Sequence, residues 1–156
     1  DISKRYNVLT EVIDEASQKV LIFVPFKHVI GILSQKLTED GYTNEVISGD
    51  VSAGKRAEIF RAFQDTPEPR VLVIQPQAAA HGVTLTAANT VVWWGPTSSL
   101  EIYAQANARV HRSGQRHPST VVQLAGSGVE RHVYNLLDNK IDVHSKVVDL
   151  YKDLLE

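Results

Sequence analysis

A mostly parallel β-sheet with helices on both faces is the fold class that three features of this sequence predict. Residues 19–25 (KVLIFVP) and 70–74 (RVLVI) are continuous apolar runs bounded by charge or proline, as strands covered on both faces read. Such runs alternate along the chain with segments whose apolar residues recur at helical spacing. No internal repeat or low-complexity tract interrupts that alternation. A length of 156 residues suits one domain with a substantial core.

The elements follow in order. Residues 3–16 carry Tyr6, Leu9, Val12 and Ile13 at helical spacing, and the first strand is the run at 19–25. Residues 29–37 restore the helical period through Val29, Ile30, Leu33 and Leu37, and Gly41 is placed to end that helix. A short strand is expected at 45–48, then a helix over 52–63 with Ile59, Phe60 and Phe63 inward. The loop DTPEP leads to the strand at 70–74, and a Gln/Ala/Gly-rich connection leads to another at 90–94. A helix over 98–112, a strand at 120–124 and helices at 129–137 and 147–155 complete the chain. In such sheets ligands bind beyond the carboxyl ends of the strands, so the loops after Val24, Ser48, Ile74, Trp94 and Leu124 are candidates.

Composition removes several classes of function. The net charge of −2 argues against a generally basic protein that coats nucleic acid. Charge is nonetheless uneven: from Pro69 to Gly128 the one acid is Glu101, against Arg70, Arg109, Arg112 and Arg116, so a polyanion-binding surface should be local. Cysteine is absent, which excludes disulfides, thiolate metal sites and a cysteine nucleophile. Methionine is absent even at position 1, so the chain is expected to begin inside a larger protein or to have been processed. No apolar run approaches the ~18 residues of a membrane span, and the first residues do not read as a signal peptide; a soluble protein with no membrane partner is expected. His28, His117, His132 and His144 lack metal-ligand spacing, so no metal site is expected, and no Ser/His/Asp set reads as a triad.

The segment 103–123 (YAQANARVHRSGQRHPSTVVQ) is the most distinctive. It places Gln105, Arg109 and Arg112 at i, i+4 and i+7, one face of a helix, with no acid between Glu101 and Glu130. Arginines in a row with no carboxylate near them in sequence suit an anionic partner such as phosphate, or a solvated basic helix end favoured by the helix dipole. A second stretch, Gly49-Asp-Val-Ser-Ala-Gly-Lys55, meets the first seven positions of a phosphate-cradling loop between a strand and a helix. Two objections stand against it. Arg56 occupies the place of the Mg²⁺-ligating hydroxyl, and no later strand ends in an aspartate, since 70–74 runs into Gln75 and 90–94 into Gly95. The other reading is a turn and helix cap, with Ser52 as the N-cap and Lys55 and Arg56 on the helix.

The run from Gln105 to Gln115 resembles the sixth motif, Q-A-x-x-R-x-H-R-x-G-Q, of the Swi/Snf-type, superfamily-two DNA translocases. Residues 71–94 are similar to that family's fifth motif, Ser48-Gly49-Asp50 with Arg56 and Phe63 to the block between the fourth and fifth, residues 19–26 to the fourth, and Val129-Glu130 onward to the helix after the sixth. The likeness is collinear over nearly the whole chain. It implies a three-layer RecA-like fold over residues 1–156, the second lobe of a motor, with 129–156 as a C-terminal helical extension and no working phosphate loop of its own.

The resemblance implies ATP with Mg²⁺ held mainly by a first RecA-like lobe elsewhere in the polypeptide. Arg112 matches the arginine finger and Arg109 its companion. Gln105 matches the residue that opens the motif and is read as a positioner, and Gly82 belongs to the nucleotide side of the fifth motif. Backbone contacts to DNA, taken as duplex, are implied for Ser48, Gly49, Gly82 and Thr84, with Lys27 beside them. Ala79-Ala80 stands where the family has Gly-Gly, Thr84 where it has Asn, and His81 is unusual at its place. Trp93 and Trp94 read either as a stacking face for a base or as core. Compact loops point to a bacterial or viral source, hence a cytoplasmic or nucleoid-associated protein, or a nuclear one if eukaryotic. A self-sufficient nucleotidase using Gly49–Lys55 and a non-catalytic interaction domain are the alternatives.

Overall fold

Where the chain alternates apolar runs with amphipathic segments, the computed structural model alternates strands and helices; it describes residues 2–79, 85–110 and 119–140. The order is α1 (Ile2–Glu15), β1 (Lys19–Phe23), α2 (Lys27–Glu39), β2 (Asn44–Ile47), α3 (Ala53–Asp65), β3 (Val71–Ile74), a 3₁₀ turn (Pro76–Ala79), β4 (Ala88–Trp93), α4 (Leu100–Ala108), β5 (Thr120–Gln123) and α5 (Gly128–Asp138). The helix expected at 147–155 lies outside the described residues.

The five strands form one sheet in the order β2-β3-β1-β4-β5, and every pairing is parallel. The two all-apolar runs of the sequence are β1 and β3, which sit inside the sheet together with β4 and are buried on both faces. The edge strands β2 and β5 are only partly covered, which is why their sequences mix polar and apolar residues.

Side chains alternate across the sheet and build two separate cores. Leu21 and Phe23 of β1, Leu72 and Ile74 of β3, and Val91 and Trp93 of β4 pack with α3, α4 and α5 through Phe63, Tyr103, Ala106, Tyr134 and Leu137. Val20 and Ile22, with Val71, Val73 and Val92, face the other way and meet α1 and α2 through Leu9, Ile13, Leu33 and Leu37. The result is three layers, helix–sheet–helix. Since α5 supplies Val133, Tyr134, Leu136 and Leu137 to the first core, the fold runs on through β5 and α5.

Serine caps start three of the helices. The side chains of Ser52, Ser99 and Ser127 accept the amides of Lys55, Ile102 and Glu130 at 3.2, 3.2 and 3.1 Å. No helix among the described residues is long and apolar enough to cross a membrane.

Candidate functional site

The sequence-derived site residues divide into a group at the carboxyl ends of β1, β2 and β3 and a group at the end of α4. At the first, Ser48 is buried and its carbonyl accepts the Val51 amide at 3.1 Å, closing a turn. Gly49 is exposed, and its amide donates to the Gln75 side-chain carbonyl at 3.1 Å. Lys27 pairs with Asp50 at 3.0 Å, with both side chains more than 60% exposed (64% and 73%), so the bridge contributes little and the lysine stays available. The structure brings Lys27, Ser48 and Gly49 together at one rim.

The same turn decides the local reading of Gly49–Lys55. A phosphate cradle needs consecutive amides turned toward the ligand. Here the Gly49 amide is taken by Gln75, the Val51 amide by Ser48 and the Lys55 amide by the Ser52 cap. Arg56 folds back so that its Nη2 donates to the Val51 carbonyl at 3.2 Å. Lys55 lines a surface groove of about 650 Å³ with Thr43 and Asn44, residues at the start of β2 rather than at its carboxyl end. The turn-and-cap arrangement expected around Ser52 is the one present, and it does not fit a triphosphate.

The arginine segment departs from the expected continuous helix over 98–112. The α-helix stops at Ala108, and Arg109 is its C-cap, at φ −67° and ψ −24°. Two i→i+3 bonds tighten the end, from the Arg109 amide to Ala106 at 3.1 Å and from Val110 to Asn107 at 3.2 Å. The Arg109 carbonyl accepts the amide of Leu85 at 3.0 Å. That tertiary bond gives the carbonyl a partner outside the helix, while Gln105 and Arg109 stand one turn apart at its end.

Arg109 is 8% exposed, which rules out a solvated basic end at this position. Its Nε donates to the Gln105 carbonyl at 3.1 Å, and the Gln105 side chain donates to Glu101 at 3.1 Å. Gln105 thus holds both the helix and the buried guanidinium. Arg109 lies on the return path from β4 to β5, not in a loop at the carboxyl rim. Arg112, Gly82, Thr84, His81 and His111 lie outside the described residues.

With this geometry in place, residues 4–114 match the model of the helicase conserved C-terminal domain. The chain belongs to that family. Among relatives of this helicase C-terminal domain, an uncharacterized ATP-dependent helicase of Schizosaccharomyces pombe is 30% identical over 141 residues, covering 89% of this chain and 14% of that protein. A SWI/SNF-related matrix-associated actin-dependent regulator of chromatin, subfamily A containing DEAD/H box 1 homologue, of Caenorhabditis elegans is 28% identical over 154 residues, covering 98% of this chain and 16% of the relative. The chain therefore spans about a seventh of the length of these relatives. Both organisms are eukaryotes, which gives no support to a bacterial or viral source. The C-terminal part of the Fun30 ATPase domain has the same fold, with a TM-score of 0.78 at 22% identity over 85% of this chain and 45% of that one. The RecA-like second-lobe fold and the Swi/Snf-type resemblance carried by residues 105–115 both stand.

The helicase domain's two tryptophans are core. Trp93 is fully buried and Trp94 is 2% exposed, so neither offers a face to a base. Consecutive strand residues point to opposite faces, and each tryptophan fills a different core. Trp93 lies 4.8 Å from the Phe23 ring and 4.9 Å from the Tyr103 ring, and its indole N–H donates to Asn107 at 2.9 Å.

Two polar networks escaped sequence reasoning. Arg5 of α1 forms a two-bond pair with Glu130 of α5, at 2.7 and 3.2 Å, and also donates to the Trp94 carbonyl at 2.7 Å. Glu130 in turn accepts the Gly126 amide at 2.7 Å, and a Cβ on Gly126 would collide with the Arg5 guanidinium. This network closes the rim between β4 and β5. The second joins α4, β5 and α5: Tyr103 donates to Asp138 at 2.9 Å, and Gln123 donates to the Tyr103 hydroxyl at 2.8 Å and to both Asp138 oxygens at 3.1 and 3.0 Å. Burial, with the hydrogen bond to Asp138, pushes the Tyr103 hydroxyl up to about 12, so it stays a neutral donor at working pH. The partners are distant in sequence, and neither network leaves a local signal.

Proposed function

We propose that this chain is the second motor lobe of a longer ATP-dependent DNA translocase. The observation that carries the reading is the family match itself, which runs from α1 through the arginine-bearing motif to residue 114. On this reading Arg112 reaches the γ-phosphoryl group of ATP held by a first lobe and offsets the charge that develops as water attacks phosphorus and ADP leaves. Arg109 is its companion, held by the Gln105 carbonyl. The bond between Leu85 and Arg109 supports a coupling between the chain next to Gly82 and Thr84 and the end of α4.

The rim formed by the exposed Gly49 and Lys27, with the buried Ser48 beside them, supports contacts to the DNA backbone, which position a motor without reading sequence. Closure of the two lobes on ATP and their opening after hydrolysis would move the pair along a strand of the duplex. On this reading Mg²⁺ goes with the ATP phosphates on the first lobe, which is supported by three amides of the Gly49–Lys55 turn already being bonded within the fold. Residues 1–156 form the lobe, with 129–156 its C-terminal helical part. The relatives' names, an ATP-dependent helicase and a regulator of chromatin, support a DNA partner and, if the source is eukaryotic as theirs are, a nuclear location.

Titrating Mg·ATP into the isolated chain and into Lys55→Ala tests the division of labour. Neither should bind more tightly than about 1 mM. Saturable binding that disappears in Lys55→Ala would replace this reading with the self-sufficient nucleotidase.

A further inference from the structure

We propose that Tyr103, Gln123 and Asp138 act as a positioning unit that fixes the setting of α4, and through it the arginines that follow. The inference rests on the motor reading and names residues that reading does not include. Tyr103 is 6% exposed, and its hydroxyl, the Gln123 amide and the Asp138 carboxylate are joined by four hydrogen bonds between 2.8 and 3.1 Å. Tyr103 and Asn107 stand one turn apart on α4, so they share a face. Asn107 accepts the Trp93 indole N–H, which pins the same face to the centre of the sheet. Arg109 comes two residues later.

The α4 helix has nine residues and is seated in the core by Tyr103 and Ala106, while an open surface groove of about 410 Å³, lined by Leu100, Ala104 and Val121 as well as by the three polar residues, runs along one flank. Apolar contact is non-directional and incomplete on that flank, so it leaves the slide and rotation of a short helix open. Hydrogen bonds are directional, and the hydroxyl–carboxylate bond is charge-assisted, so this unit sets the position that apolar contact leaves open. Gln123 donates to both partners and thereby fixes each relative to β5. A displacement of α4 by an ångström would pass directly to Arg109, its C-cap, whose Nε donates to the Gln105 carbonyl, and misplacement on that scale is worth up to about a hundredfold in rate.

The test uses the intact two-lobe protein in a DNA-stimulated ATPase assay, with folding followed by circular dichroism and melting. Tyr103→Phe and Asp138→Ala should each lower kcat about tenfold, while KM for ATP and for DNA stays within about twofold. The double variant should be no slower than either single one, because one unit is broken only once. Asp138→Asn should recover only part of the activity, since its amide oxygen still accepts the tyrosine hydroxyl but its NH2 group opposes the Gln123 donor. If Tyr103→Phe does not fold, Gln123→Met carries the test from the β5 side. Wild-type kcat in folded Tyr103→Phe or Gln123→Met, or multiplied losses in the double variant, would overturn the proposal while Arg112→Ala remains inactive. Wild-type turnover in Arg112→Ala would overturn the motor reading and this inference together.

Discussion

Trp93→Ala is expected to destabilise the fold by about 3–5 kcal/mol, the range for losing a large aromatic from a packed core. Trp93 is fully buried at the end of β4, between the rings of Phe23 and Tyr103. Its removal leaves a cavity between sheet and α4 and strips the Asn107 side-chain oxygen of its donor. Against a typical total of about 5–15 kcal/mol, that loss is a large fraction of what holds a domain folded. Urea unfolding measures it, and Trp93→Phe, which keeps most of the ring contact but not the N–H, should fall by about 2 kcal/mol. A neutral Trp93→Ala whose DNA affinity drops would instead restore the stacking role that burial removes.

In the intact protein, Arg112→Ala should reduce DNA-stimulated ATP turnover about 10³-fold, as for arginine fingers in other phosphoryl-transfer enzymes. The loss should appear in kcat, with DNA affinity nearly unchanged, because the contact strengthens as charge develops on the transferring group. Arg112→Lys keeps the charge but not the planar fork, and should recover little of the activity. Intact turnover in Arg112→Ala would favour the non-catalytic interaction domain. Arg109 is a poorer probe, since its burial ties any substitution to folding as well as to chemistry.

Most of the fold was legible because β1, β3 and β4 are covered on both faces and so read as mainly apolar runs, β4 carrying the buried polar Asn89 and Thr90 at its start. The start of α3 was legible for another local reason: a serine in extended conformation before a helical stretch is a cap whatever surrounds it. What escaped depends on contacts made across the chain. The end of α4 at Ala108 is accompanied by a bond from its C-cap carbonyl to Leu85, 24 positions away, and helical periodicity carries no trace of that bond. The 3₁₀ turn at Pro76–Ala79 is too short to leave a period.

The burial of both tryptophans was within reach of strand alternation, which sends neighbours to opposite cores. The pairs Arg5–Glu130 and Tyr103–Asp138 join residues separated by 125 and 35 positions, and only the folded sheet brings them together. Of the candidate site, the sequence motif identified the arginines by resemblance. The buried setting of Arg109, and its hold on the Gln105 carbonyl, required coordinates.

The most direct test is a structure of the intact protein on duplex DNA, with ADP and a metal fluoride in place of the transferring phosphoryl group. The expected result has the Arg112 guanidinium within hydrogen-bond reach of the fluoride and the nucleotide phosphates held by residues outside 1–156. Phosphates seated on the Gly49–Lys55 turn, or an Arg112 side chain remote from the fluoride, would contradict it.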